Sequence, residues 1–393
     1  MKRALILVPA AVLILFLAGC GGGYNSSGNP SSSKTGTSGI KKRALVTDTY
    51  SGGIYIVNAA TDKYLGNTIA TSSNPTTMAV FPDKLHTVVL TSAGQSLQVI
   101  DNTTESTVIG FGLAAPATSI AVSSDNKTVY AAVRNEPFAG QLPGAIEIGD
   151  ISATSGTTAT VQVPQVRKIV LSHNGAKLLA FSDNSDKVAL MDTAAKTVTY
   201  VSGFDRPVNG VFSSDDSTAY ILSCGPECGG TTAKVNALTI SNNTVGPDVL
   251  VSGATVGYLD SGNLYVAGSP NGVGKLDVVS TSSMSVSKSG VAIANGYHTL
   301  MSLAGGDLFI GSTGCSNVSS GCLSLYNTSS ASVTNSAAGA GDVTGIQPID
   351  GRTVVYVIEG GELVIWDTST TAPIPQANQV DVVGQASDVK LID

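Results

Sequence analysis

The feature that most restricts this chain is an internal repeat. Segments 78–92 (MAVFPDKLHTVVLTS), 120–134 (IAVSSDNKTVYAAVR), 169–183 (IVLSHNGAKLLAFSD) and 210–224 (GVFSSDDSTAYILSC) share one layout: apolar strand, polar turn, apolar strand. A third apolar run ending in an acid follows, as in LQVID at 97–101, VALMD at 188–192 and LVIWD at 363–367, and a fourth strand leads to the next unit. Pro75, Pro116 and Pro207 stand just before the first strand of their units, where a missing N–H breaks no ladder. First-strand starts near 76, 118, 166, 208, 254, 297, 343 and 387 are spaced 42 to 48 residues apart. Four strands per unit at that period predict a β-propeller, because a solenoid has one strand per much shorter repeat.

The two ends set the number of blades. The chain opens with a second-type strand at 43–47, continues at 54–57 and 64–70, and finishes with a lone first-type strand at 387–392. That last strand completes the first blade, so the ring closes by pairing the N- and C-terminal strands and leaves no raw edge. The expected fold is all-β: one propeller of eight four-stranded blades over 43–393. Seven blades is the alternative if the weakest unit, 297–336, whose outer strand is mostly Ser, Ala and Thr, is not a blade.

The first strand, the Ser-x-Asp turn, the Val-Tyr or Leu-Tyr strand and the Ile-Asp or Met-Asp ending resemble the repeats of YVTN-type and lactonase-like propellers. The resemblance covers nearly all of 43–393. It implies a fold that hosts many unrelated activities. The lactonase-like enzymes rely on a small His, Glu and Arg set at the channel, and no such set matches here residue by residue.

Ahead of the repeats, Lys2 and Arg3 precede an apolar run from Ala4 to Ala18, too short to span a bilayer comfortably and suited to a secretory signal peptide. It ends in Leu17-Ala18-Gly19-Cys20, which resembles the lipobox of bacterial lipoproteins. The resemblance implies cleavage after residue 19 and lipidation of Cys20, which anchors the protein in a lipid membrane. Gly21, where an inner-membrane retention signal often has Asp, points to the outer membrane, with the protein facing the periplasm or the cell surface. Residues 20–42 are Gly/Ser-rich and predict a flexible tether reaching roughly 25 Å as a coil.

Charged residues make up 12% of the chain, about half the usual share, and the formal charge is −7. With no basic stripe, nucleic acid is not an expected partner. Besides Cys20 there are Cys224, Cys228, Cys315 and Cys322, each pair in a loop between the second and third strands of one blade. Two local disulfides, Cys224–Cys228 and Cys315–Cys322, fit an oxidising compartment. A four-thiolate zinc site fits poorly, because the pairs lie two blades apart, so no metal is expected.

No Gly-x-Ser-x-Gly, H-E-x-x-H or phosphate-loop pattern occurs. Asp83, Asp125, Asp215 and Asp216 recur in the turns, and Asp101, Asp192 and Asp367 end third strands; Asp in such places serves local backbone N–H groups. His86 and His173 read as turn residues. The long 134–143 insertion, with Glu136 and Phe138, shares one face with both cysteine loops. Arg167, Arg206, Tyr258, Tyr297 and His298 stand near first-strand starts and should rim the channel mouth on that face. The reading this supports is a non-catalytic binding or interaction scaffold for an envelope protein or small ligand, without a cofactor. Alternatives are a periplasmic lactonase-like hydrolase and a cofactor-bearing propeller similar to the haem d1 domain of nitrite reductases. His298 is the one residue that favours the latter, and no C-x-x-C-H motif accompanies it.

Overall fold

The computed structural model describes residues 37–152, 156–315, 320–370, 373–376, 380, 382 and 385–393. The signal peptide, Cys20 and the tether up to residue 36 lie outside the described residues. Eight antiparallel sheets follow one another in chain order and form an eight-bladed propeller. The unit at 297–336 is a complete blade, with strands Tyr297–Ala304, Asp307–Thr313, Ser320–Asn327 and Val333–Ala337, so the alternative of seven falls away. Among the described residues no helix is long and apolar enough to cross a membrane.

Residue type follows position within a blade. Middle strands are covered on both faces by neighbouring blades and are mainly apolar between their ends, as in Lys177–Ser182 (KLLAFS) and Lys187–Asp192 (KVALMD). Outer strands alternate, as in Lys63–Ala70, because one face meets water. Each gap between blades is filled from both sides. Tyr130 and Ile146 of blade 3 meet Leu178 and Met191 of blade 4, and Phe309 and Leu325 of blade 7 meet Val355 and Trp366 of blade 8. Leu178 is fully buried, so truncating it to Ala should cost about 2–5 kcal/mol.

Blade 1 is assembled from both chain ends. Its strands run in the order Lys63–Ala70, Gly53–Asn58, Arg43–Asp48, Ala386–Leu391. Leu45 pairs with Ile56 on one side and Lys390 on the other. The segment leading into this blade lies against the short turns. Lys42 Nζ donates to Asp350 O, Arg43 Nη1 to Asn102 O, and Ser38 Oγ to Glu105 Oε1. All of these partners sit on the turn face, opposite the cysteine loops.

Two kinds of hydrogen bond fix the blades to each other and to their loops. On the turn face Asp216 Oδ2 accepts from Asn174 N at 2.8 Å and Asn126 Oδ1 from Asp83 N at 3.1 Å. Asp216 therefore bridges two blades, a correction to its reading as a local turn residue. Asp125 and Asp215 do serve their own turns, accepting from Lys127 N at 2.8 Å and Ser217 N at 3.1 Å. On the opposite face a polar side chain in the third strand holds the loop that enters its own blade. Gln98 accepts from Ser72 N at 2.9 Å, Glu147 from Ala114 N at 2.8 Å, Asp277 from Ser252 N at 2.7 Å and Ser324 from Ala294 N at 2.7 Å. The buried Glu147, Asp277 and Ser324 are thus satisfied by backbone.

Candidate functional site at the channel mouth

The inner strands do not run straight into the channel. Register shifts place one extra residue in each of six of them: Thr118, Arg167, Val208, Thr299, Thr344 and Ser387. The extra residue of a β-bulge has no cross-strand partner and re-aims its side chain. Four of the six, Thr118, Arg167, Thr299 and Thr344, are exposed. At the mouth on the loop face these bulges open a cavity of roughly 510 Å³, lined among others by Arg134, Arg167, Lys168, Asp183, Asn184, Arg206, Glu227 and Tyr297.

The rim is a mixed array of charges. Asp183 lies between two guanidiniums, 2.5 Å from Arg134 Nε and 3.8 Å from Arg167 Nη1. Arg167 also stands over the Tyr297 ring, its Cζ 5.9 Å from the centroid, a cation–π geometry. Burial pushes the Tyr297 hydroxyl up in pKa, and the Arg167 charge partly offsets this. Arg206 donates to Asn184 Oδ1 and lies 3.8 Å from Asp186. Glu227, next to the Cys224–Cys228 disulfide, accepts from Ser269 N at 2.8 Å, and burial raises its pKa. The cavity lining holds four cations against two carboxylates, in a chain whose formal charge is −7.

The residues expected at the rim divide. Arg167, Arg206 and Tyr297 come together there. Tyr258 does not: its ring packs between blades beside Tyr265 and Met301, with its hydroxyl toward Leu303. His298 does border the cavity, but its ring is turned into blade 7, because the bulge at Thr299 reverses the alternation of the strand. It is 1% exposed; Nε2 lies 2.9 Å from Ala294 O and Nδ1 3.4 Å from Ser269 Oγ. Burial lowers its pKa to about 4, so it is neutral and holds loops together. Glu136 and Phe138 sit in the 134–144 loop away from the lining, Glu136 close to Glu147. Lys168 carries no prediction from the sequence, and Arg134 enters there only as the first residue of the 134–143 insertion. The adjacent Arg167-Lys168 pair was the available signal, since no other inner strand carries two neighbouring cations.

Both expected disulfides are formed. Cys315, Cys322 and Asp342 lie together, but the sulfurs are bonded to each other and Asp342 Oδ1 accepts from Gly314 N at 2.7 Å. Cys322 lies within its third strand and not in the loop as expected, which places it in the core between blades 7 and 8.

No family model and no curated protein matches this chain. Solved structures do. One described as dihydro-heme d1 dehydrogenase NirN in complex with DHE matches 88% of this chain and 74% of its own, with TM-score 0.69 and 10% identity. A functionally unknown protein from Desulfotomaculum acetoxidans matches 89% of this chain and 98% of its own, with TM-score 0.56 and 12% identity. At these identities the likeness concerns fold alone, and it agrees with the sheet order: the chain is an eight-bladed β-propeller.

Proposed function

We propose that this chain is an exported lipoprotein of the bacterial cell envelope, anchored through Cys20, whose propeller is a non-catalytic binding scaffold with its binding site at the channel mouth. The cavity of roughly 510 Å³ between Arg134, Arg167, Arg206 and Tyr297 carries this reading. It combines a rigid ring with polar side chains converging from several loops, the usual make-up of a binding site. The acids and histidine elsewhere on this face have structural work: Glu147 and Asp277 hold loops, and His298 bridges Ala294 and Ser269. The described chain enters the ring on the turn face, opposite the mouth. The neighbour solved with DHE suggests a tetrapyrrole, but both His298 nitrogens are engaged and offer no axial ligand.

Radiolabelled palmitate should enter the wild-type chain and not Cys20→Ala; equal labelling of both would remove the anchor. In-cell cross-linking with mass spectrometry should then capture an envelope partner or ligand, with adducts on 134–143, 224–232 and 314–322. The triple variant Arg167→Ala, Arg206→Ala, Tyr297→Ala should lose it. Unchanged capture by that variant, with an intact fold, would place the binding site elsewhere.

A further inference from the structure

At three of the inner-strand bulges the residue that follows carries a polar side chain bonded to the next blade. Ser119 Oγ accepts from Ile169 N of the next blade at 3.3 Å. Asn209 Nδ2 donates to Thr255 O of the next blade at 3.2 Å. Asp388 Oδ2 accepts from Met78 N of the next blade at 2.8 Å. These side chains rivet neighbouring inner strands. Lys168 occupies the same place, one residue past the Arg167 bulge, and makes no such bond. Among the described residues no carboxylate or carbonyl pairs with its ammonium group.

Lys168 is exposed to water through the mouth and lines the cavity. Partial desolvation by the surrounding strands, and then the Lys390 charge, lower its pKa. Lys390 cannot be its partner and has its own, Asp388 Oδ1 at 2.7 Å. The ring thus holds an unpaired cation at the inner end of a cavity whose rim carries Arg134, Arg167 and Arg206. An unpaired ammonium facing the same space as three guanidiniums is repelled by them, and an anion seated among the four relieves that repulsion.

We propose that the ligand of the mouth is a small organic anion bearing a carboxylate or phosphate, seated between the Lys168 ammonium at the inner end and the Arg167 and Arg206 guanidiniums at the rim. This rests on the binding reading above. Guanidiniums match planar carboxylates and phosphates by paired hydrogen bonds, whereas an ammonium acts as a point charge. Tyr297, already under Arg167, offers a ring face to the body of such a ligand. The cavity volume admits a small molecule and not a folded partner.

Pyridoxal phosphate is a suitable probe on the wild-type protein, because it carries both an anion and an aldehyde. Its aldehyde condenses with a neutral lysine amine to form C=N with loss of water. Borohydride then delivers hydride to the carbon and fixes the adduct for peptide mapping. Lys168 should be modified at least ten-fold ahead of exposed lysines such as Lys63 and Lys288. Citrate or inorganic phosphate should protect it, citrate identifying a carboxylate site and phosphate a phosphate site. Lys168→Met should lose that adduct, and Arg167→Ala with Arg206→Ala should weaken protection about ten-fold. Modification of Lys168 no faster than of Lys63, or without protection by either anion, overturns the proposal. If the triple variant still loses its captured partner in that case, the binding reading stands and only the anion is wrong. If capture is also unchanged, both fall.

Discussion

Arg43 and Asp393 stand 350 positions apart and grip each other through two parallel contacts, Nε to Oδ2 and Nη2 to Oδ1, each at 2.6 Å. Arg43 also reaches Glu105 at 3.0 Å, so this one side chain ties the blade built from both chain ends to blade 2. The paired contact with Asp393 comes first among the causes that raise the Arg43 pKa.

A double-mutant cycle should therefore find Arg43 and Asp393 coupled. Both are partly covered and bidentate, so the coupling free energy should be about 1–2 kcal/mol in urea unfolding. Additivity of the two alanine substitutions within about 0.3 kcal/mol would show that the clasp contributes nothing to closure.

Glu136 should make stability fall as pH rises. Burial first, then Glu147, lifts its pKa from 4.5 to about 7. The folded chain therefore holds a proton between pH 4.5 and 7 that the unfolded chain has released, and folding is penalised progressively across that window. Thermal melts should show the midpoint dropping over this range, and Glu136→Gln should flatten that part of the profile. A Gln variant with the wild-type slope would mean the proton resides elsewhere.

His298 acts in the opposite direction. Its pKa is lowered from 6.5 to about 4 by burial, so the unfolded chain takes up a proton that the folded chain refuses. Its stabilising contribution is complete above pH 6.5 and is lost as pH falls toward 4. Imidazole resonances in an NMR titration should stay those of a neutral ring down to about pH 4. Protonation near pH 6.5 would contradict the enclosed placement.

The two disulfides should differ in consequence. Both close short loops, which limits each to about 2 kcal/mol in the loop-entropy model. Cys315 and Cys322 belong to the core between blades 7 and 8, so their double Ser variant should also lose packing and melt lower. Cys228 and Glu227 line the mouth, so the Cys224→Ser, Cys228→Ser variant should alter ligand or probe access more than the melting point. Equal melting shifts for both pairs would contradict this division.

The ring was readable because its strands repeat. Pattern, turn residues and the odd strand at each end are properties of the chain itself, and positions such as Arg43, Val166 and Val343 start strands where the repeats place them. The site was readable only in part. Bulges at Arg167 and Thr299 depend on how an inner strand meets its neighbour, and they decide which side chains face the channel. Strand alternation counted without them aims His298 outward and overlooks Lys168. Glu147 and Asp277 were equally silent, since their partners are loop N–H groups more than twenty residues away.

The way the chain enters at Arg43 has a mechanical consequence. It runs directly into a strand hydrogen-bonded on both sides, to Gly53–Asn58 and to Ala386–Leu391. Tension applied to the chain ahead of Arg43 would act along that strand and load both ladders in shear, so that many bonds must yield at once. A tether joined to an outer strand would instead peel it from the blade one bond at a time. With Asp393 and Glu105 gripping the first residue of the strand, this end of the chain is held at a point that resists pulling.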